Sequence, residues 1–400
     1  MSDRVIVVHP TYRVLGGAER VSLGIVKVLL NESFYVDVLT FNKGLLPKLL
    51  CREHNNNSNS KCSKLVIHEI PVVEGIPSLN KALLQGVVAT LALKKLRVDK
   101  KRSVVVNTKF NELLASGDVL YTHYPFWTIA SQNPRDSSFI IGPALGKPIN
   151  PIYYYYLKMI GNFHNRISLE LIEKAKRVLF NSVYTYTLFT YYNKHNVLVE
   201  SSKGKLMVLN PPIDERFFKS NIHDKENLIV LRLKGVRPDI ASEIIGKLSS
   251  TLRSWKVVVI GYTDRDYEKL IKSKLANLDN ISMAFNIDES EKVRLLAKAR
   301  IYIHPMMYDH FGILIGEALA SGCRVVVHKF TGIVHDLLHK HPWQTVGKCI
   351  KVYNSHGEIP ELVFELLQED VEPEICRRLV MDFREEVFMN NVKKLIGDLP

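Results

Sequence analysis

Short apolar runs alternate with longer amphipathic stretches along almost the whole chain. "RVIVVHP" (4–10) precedes a helical pattern from about Ala18 to Leu30, and "YVDVLTF" (35–41), "KLVIHEI" (64–70), "SVVVN" (103–107), "DVLYTH" (118–123), "RVLFNS" (177–182) and "KLMVLN" (205–210) follow. Nearly continuous β-branched runs set between helices predict the strands of a parallel sheet covered on both faces. A second series begins near residue 228, with "LIVLR" (228–232), "WKVVVIG" (255–261), "NISMAF" (280–285), "RIYIHP" (300–305), "CRVVVHK" (323–329) and "CIKVYN" (349–354). Two such series predict two doubly wound α/β domains. The paired prolines of "LNPPIDERFF" (209–218) interrupt regular structure and mark the joint. The expected domains are residues 1–215 and 216–400, with the last helix free to pack back on the first. "NNNSNS" (55–60) reads as a polar loop, and the aromatic-rich stretch 124–166 as loop and helix inserted in the first domain.

Composition adds exclusions. Hydrophobic content of 46% with 24% charged residues is that of a globular chain, not a disordered one. No run of about 18 uncharged apolar residues predicts a transmembrane helix. "MSDRVIVVHP" enters a strand within four residues and lacks the architecture of a secretory leader, so a cytoplasmic chain is expected. The five cysteines are scattered without close pairs, which predicts reduced thiols and no zinc site. Lys and Arg number 54 against 41 Asp and Glu, a net +13 that favours an anionic partner: nucleic acid, an acidic lipid surface or a phosphorylated substrate.

One segment concentrates the chemistry. "DHFGILIGEALASG" (309–322) leaves a predicted strand and enters a helix in which Glu317 is the only charged residue before Cys323. Ligands of open parallel sheets bind at the carboxyl ends of strands, so this helix starts at the ligand edge. Its first N–H groups favour an anion such as a diphosphate. Gly312 permits close backbone approach and Gly322 is placed as the helix terminator. A carboxylate among Ile313, Leu314, Ile315, Ala318 and Leu319 is costly to bury. It either takes the paired hydroxyls of a ribose or reaches solvent or an internal Arg. Asp309 either acts on a ligand or only complements the helix dipole.

These residues resemble the acid–seven-residues–acid motif of retaining GT-B glycosyltransferases of the large family-four group. The match falls on Phe311, Gly312, Glu317, Ala318, Ala320 and Gly322, with Asp309 where the family usually has Glu. His310 before Phe-Gly, together with "YTHYPF" (121–126), resembles the α-1,2-mannosyltransferases that extend lipid-linked oligosaccharides. "GGAERV" (16–21), "NSVYT" (181–185) and "NPPID" (210–214) are similar to further family segments in the same order. The resemblance implies two Rossmann-like domains facing across a cleft. It also implies sugar transfer from a nucleoside diphosphate sugar with retention, GDP-mannose being the favoured donor and a glycan or polyprenyl-lipid-linked molecule the acceptor.

Carried over by position, Glu317 would hold the ribose hydroxyls and Asp309 the donor sugar or its developing positive charge. Phe311, Gly312 and Ile313 would give backbone contacts. Arg232 and Arg237 would hold the departing diphosphate, with Lys234 competing for the second place. Fixed cations there stabilise leaving-group charge in place of a metal, so no metal and no cofactor are expected. Gly16 and Gly17 would sit by the donor phosphates or the acceptor, and His123 would face the donor sugar. His304 and His310 read as structural or as supports for a neighbouring site residue.

Other classes stay open on the residues alone. A GT-B epimerase would use the same donor without an acceptor. A nucleic-acid binder would use "KKLRVDKKR" (94–102), although no nucleic-acid fold motif accompanies it. An inactive transferase would fit Asp309 and the unusual "LRLKGVR". The apolar helix 76–102, with its basic end, and the tyrosines around Tyr153–Tyr156 suggest peripheral docking on an anionic membrane surface.

Overall fold

The computed structural model describes residues 4–51, 63–71, 78–99, 103–110, 112–132, 151–194, 203–233, 236–261 and 265–397. The chain divides into two compact units at Pro212/Ile213 and again at Arg384/Glu385.

The first unit is built on seven parallel strands: β1 (Arg4–Val8), β2 (Tyr35–Thr40), β3 (Leu65–Glu69), β4 (Val104–Asn107), β5 (Val119–Thr122), β6 (Arg177–Phe180) and β7 (Leu206–Val208). Their order is β3-β2-β1-β4-β5-β6-β7. Each coincides with a run expected from the apolar pattern. The central strand explains why: Val5 and Val7 of β1 are buried and pair with valines on both neighbours. Four helices of this unit matter below: α1 (Gly17–Asn31), α2 (Ser78–Asp99), α3 (Phe126–Gln132) and α4 (Pro151–Lys174). The last two pack closely at Gly161, where a Cβ would lie 2.7 Å from the backbone nitrogen of Ser131. Trp127 stacks on His164 at 4.0 Å, and Thr128 donates to Asn165 at 2.7 Å.

The last helix, Glu385–Gly397, belongs to this first unit. Its Phe388 and Val392 enter the core beneath β1 and β2, and Phe388 lies so close to Gly24 of α1 that a Cβ there would be 2.8 Å from its ring.

The second unit has six parallel strands: β8 (Glu226–Arg232), β9 (Lys256–Gly261), β10 (Ile281–Phe285), β11 (Ala299–His304), β12 (Arg324–His328) and β13 (Ile350–Tyr353), in the order β10-β9-β8-β11-β12-β13. Around them lie α5 (Glu289–Lys298), α6 (Ile313–Ala320), α7 (Gly332–Lys340), α8 (Trp343–Cys349) and α9 (Pro373–Leu379). Gly322 ends α6 in the left-handed region at φ +72°, and Cys323 N–H bonds back to Ala318.

One expectation is overturned. Cys349 and Cys376 form a disulfide that ties α8 to α9, while Cys323 is free and buried. The two cysteines are 27 residues apart. No local spacing could announce the pair; the packing of α8 on α9 brings the Cα atoms within 5.4 Å.

Truncating Phe388 to Ala is expected to destabilise the protein by about 3–5 kcal/mol, the usual result of removing a buried aromatic. Urea unfolding followed by circular dichroism measures it. An unchanged midpoint would mean the last helix is not part of this core.

Candidate active site

Both sheets reverse their direction of winding between two central strands: β1 and β4 in the first, β8 and β11 in the second. At such a point the helices depart to opposite faces and leave a crevice beyond the strand ends. Arg232, His304 and Asp309 collect there in the second unit.

In the second unit, Arg232 is the last residue of β8 and His304 the last of β11. Asp309 follows in the exit loop. Arg232 Nη1 lies 3.8 Å from Asp309 Oδ2, and His304 Nε2 lies 3.1 Å from the same oxygen. The Tyr302 hydroxyl is 2.9 Å from His304 Nδ1. Burial holds the tyrosine protonated, so it donates to Nδ1 and leaves the ring proton on Nε2, facing Asp309. Burial also keeps His304 neutral. For Asp309, burial alone would favour the acid. The hydrogen bond from His304 and the charges of His304, Arg232 and His310 outweigh it and hold the carboxyl well below the usual carboxylate range. Asp309 is therefore a fixed negative charge, not a proton donor. His304 supports it directly, 3.1 Å from its carboxylate.

The loop carrying Asp309 is pinned from α7. Gly332 N–H donates to the Asp309 carbonyl at 2.8 Å and Ile333 N–H to the Phe311 carbonyl at 2.6 Å. Only glycine fits at 332, since a Cβ would lie 1.9 Å from the His310 carbonyl oxygen. Gly312 sits at φ +94° and starts α6, its carbonyl accepting from Ile315 and Gly316. Ile313 opens the helix, half-buried. Phe311 turns inward, edge-on to Phe383 at 5.5 Å, and its carbonyl is engaged by α7. Burial pushes His310 down to about 4.

Glu317, one turn into α6, is 1% exposed. Its cation is neither solvent nor an arginine. Lys292 of α5 places Nζ 2.8 Å from Glu317 Oε2, is itself held by Glu289 at 3.0 Å, and lies over the Phe217 ring at 5.2 Å. A buried carboxylate is tolerable only with such a partner. Sequence reading missed Lys292 because α5 is far from α6 in the chain and reads as an ordinary charged helix. Arg237 is not drawn into this group. It precedes the helix Pro238–Thr251, is exposed, and forks onto Asp239 at 2.5 and 3.1 Å. Lys234 lies outside the described residues.

In the first unit the corresponding crevice holds a second polar cluster. His9, just past β1, is fully buried, with Nδ1 2.9 Å from the Thr108 hydroxyl and Nε2 3.4 Å from Glu19 Oε1. Glu19 also accepts from Gly16 N–H at 3.1 Å and faces Lys109 at 3.6 Å. Burial would raise Glu19, but the His9 hydrogen bond and the Lys109 charge bring it down to about 2. The start of α1, at Gly16 and Gly17, thus already carries an anion of the chain's own. His123, half-buried at the end of β5, bonds through Nε2 to the Thr108 carbonyl at 3.0 Å. A carbonyl only accepts, so Nε2 bears the proton and Nδ1 is an acceptor. Burial, with the nearby Lys109 charge, pushes this histidine down to about 3. His9, Glu19 and Lys109 were not singled out from the sequence. The only available signal was their position at strand ends beside the reversal of winding.

Comparison with known proteins places this geometry. Residues 212–380 match the family described as "Glycosyl transferases group 1". This stretch is a glycosyl transferases group 1 domain. The group 1 domain contains Arg232, Lys292, His304, Asp309 and Glu317. A "GDP-Man:Man(3)GlcNAc(2)-PP-Dol alpha-1,2-mannosyltransferase" of Xenopus laevis is 22% identical over 275 residues, 62% of this chain and 54% of that protein. The mouse protein of the same description is 24% identical over 278 residues, again 62% and 54%. The chain spans little more than half the length of these curated relatives. Among solved structures, WaaG, "a glycosyltransferase involved in lipopolysaccharide biosynthesis", aligns with TM-score 0.63 at 16% identity over 99% of this chain and 100% of its own. Anabaena HepE, solved with UDP and glucose, aligns with TM-score 0.58 at 14% identity over 99% of each chain. The fold is GT-B, with two Rossmann-like units of seven and six strands.

Two outcomes are expected. Lys292→Met strands a buried carboxylate and costs about 3–5 kcal/mol, whereas Lys292→Met combined with Glu317→Gln recovers most of that loss. Additive losses in the thermodynamic cycle would show that the two groups are not coupled. Stability should also fall as pH drops from 6.5 towards 4. His310 titrates near 4 when folded but near 6.5 when unfolded, so the unfolded chain takes up protons first. His310→Gln should flatten that slope in urea titrations at several pH values; an unaltered slope would remove the histidine from the account.

Proposed function

We propose that the chain is a retaining, metal-independent hexosyltransferase that moves mannose from GDP-mannose to a lipid-linked glycan. The observation that carries this reading is the Arg232–Asp309–His304 group at the winding reversal of a group 1 domain, with Glu317 on the adjoining helix. A carboxylate that stays ionised suits a sugar carbon that gains positive charge as the bond to diphosphate breaks. Arg232 is a permanent cation that can fork onto phosphate oxygens. The first N–H groups of α6 add donors for the same anion, and Glu317, paired with Lys292, accepts the ribose hydroxyls. Retention follows if the acceptor attacks on the face the diphosphate leaves and a phosphate oxygen takes its proton. No step needs Asp309 to give up a proton.

The first unit supports the acceptor role. Glu19 at the start of α1 repels a diphosphate, so Gly16 and Gly17 are better suited to an acceptor hydroxyl than to donor phosphates. His123 offers Nδ1 as a neutral acceptor to a sugar hydroxyl. GDP-mannose and a lipid-linked acceptor are favoured because the curated relatives' descriptions name a GDP-mannose donor and a dolichol-diphosphate glycan. Peripheral attachment to a membrane accords with such an acceptor. Among the described residues no helix is long and apolar enough to cross one.

The test is transfer by purified protein from a panel of nucleotide sugars to a polyprenyl-diphosphate glycan. GDP-mannose is expected to be used and UDP-glucose not; equal use of both overturns the donor assignment. Activity should persist in excess EDTA, and a loss restored by magnesium would return the leaving-group role to a cation. Arg232→Ala should lower kcat at least about a hundredfold with a smaller change in donor affinity. Glu317→Ala should instead weaken GDP binding measured by calorimetry. Unaltered binding there removes Glu317 from the ribose.

A further inference from the structure

Helix α4 of the first unit has an inner face that is fully accounted for. Leu157, Ile160, Gly161, His164, Asn165 and Leu169 are buried, several of them against α3. This packing fixes the helix's rotation, and the rest of the sequence dictates what points outward. On that side lie Tyr155 (70% exposed), Met159 (64%) and Phe163 (56%), spaced four residues apart, with Ile152 at 78% one turn earlier. Such spacing keeps them on one face of a helix. Four large apolar side chains in a row on a solvated helix are not the scattered surface residues that need no explanation.

The polar residues on the same side are not neutral in sign. Lys158 and Arg166 are exposed, and no Asp or Glu occurs on α4 before Glu170. Helix α2 repeats the combination. Leu84, Val87 and Leu91 are 37%, 48% and 61% exposed, followed by exposed Lys94 and Lys95. Inside, Gly86 meets the Leu114 backbone, and Ala89 and Leu93 are buried. Leu83 of α2 packs on the same apolar cluster as Ile160 and Tyr156 of α4, so the two helices share one underlying support. Of the remaining basic run, Lys100, Lys101, Arg102 and the side chain of Arg97 lie outside the described residues, as does the Tyr153 side chain.

We propose that the outward faces of α4 and α2 dock the first unit on an anionic lipid bilayer. Tyr155, Met159 and Phe163 enter the headgroup–acyl boundary, and Lys94, Lys95, Lys158 and Arg166 hold lipid phosphates. An apolar stripe flanked by cations, with Glu170 at its edge paired to Arg166 at 3.4 Å, is the pattern of an interfacial helix. A second copy of this chain would bring those cations against one another, so the charge selects lipid. Phe163 and Tyr155 suit a boundary that is apolar on one side and wet on the other. The proposal gives the lipid-linked-acceptor reading a place on the protein and rests on that reading for its purpose, but not for its test.

The experiment is flotation with vesicles of phosphatidylcholine, with and without phosphatidylglycerol, carrying neither donor nor acceptor. Binding should require phosphatidylglycerol and weaken in high salt. The variant Tyr155→Ser/Met159→Ser/Phe163→Ser should bind at least about tenfold more weakly while unfolding at the wild-type temperature. Lys94→Gln/Lys95→Gln/Lys158→Gln should lose the salt dependence. Undiminished binding by the serine variant overturns the proposal, as does a wild-type dimer in size exclusion that the serine variant abolishes. If the vesicles bind as expected but no nucleotide sugar is consumed, the surface stands and the transferase reading falls.

Discussion

The inner strands of each sheet are buried on both faces, and that burial governs where charge can be placed. A strand such as Val104–Asn107 or Arg324–His328 has no solvated side along its length, so a polar group within it would have to be matched in a dry interior. The chain instead concentrates its ionisable residues beyond the strand ends, where helices start and backbone donors are exposed. The reversal of winding beside β1 and β8 opens a space at two of these ends. His9, Thr108 and Glu19 gather at one, Arg232, His304 and Asp309 at the other.

Within that arrangement, each buried charge is held by a partner that no local motif encodes. Glu317 is stabilised by Lys292, Asp309 by His304 and Arg232, and Glu19 by His9 and Lys109. The consequence is chemical as well as structural. Glu19 and Asp309 are both held below the usual carboxylate range, and burial keeps His9 and His123 of the first unit and His304 and His310 of the second neutral. The second unit's group of Arg232, His304 and Asp309 is suited to stabilising charge as it develops on a ligand. It is poorly suited to shuttling protons near neutral pH.

The chain passes from the first unit to the second at Pro212/Ile213. Ile213, immediately after the paired prolines, pairs its N–H with Phe383 and fills the space above Gly316 of α6. Ile213, the first residue of the second unit after this crossing, thereby becomes part of the wall behind the Glu317 helix. The chain then returns past Arg384 to complete the first core with Phe388 and Val392. The expected bounds were 1–215 and 216–400 with the last helix free to pack back on the first domain; the units divide at Pro212/Ile213 and at Arg384/Glu385.

Much of this was legible in the residues. Thirteen strands follow from β-branched runs, since a strand buried on both faces must be apolar throughout and helices must cover it. The Asp309–Glu317 segment and the Gly322 helix end were readable for the same reason: each depends on neighbours close in sequence. What the sequence could not decide is which distant side chains meet. Arg237 was expected at the site and Lys292 was not, yet of the two only Lys292 meets a site carboxylate, because α5 packs beside α6 while Arg237 is captured two residues away by Asp239. The Cys349–Cys376 bond, and the outward turn of Tyr155, Met159 and Phe163, were likewise settled by packing. Local pattern sets which residues form each element and which of its faces is apolar. Rotation and pairing of the elements depend on contacts between parts of the chain far apart in sequence, and those contacts exist only in the folded molecule.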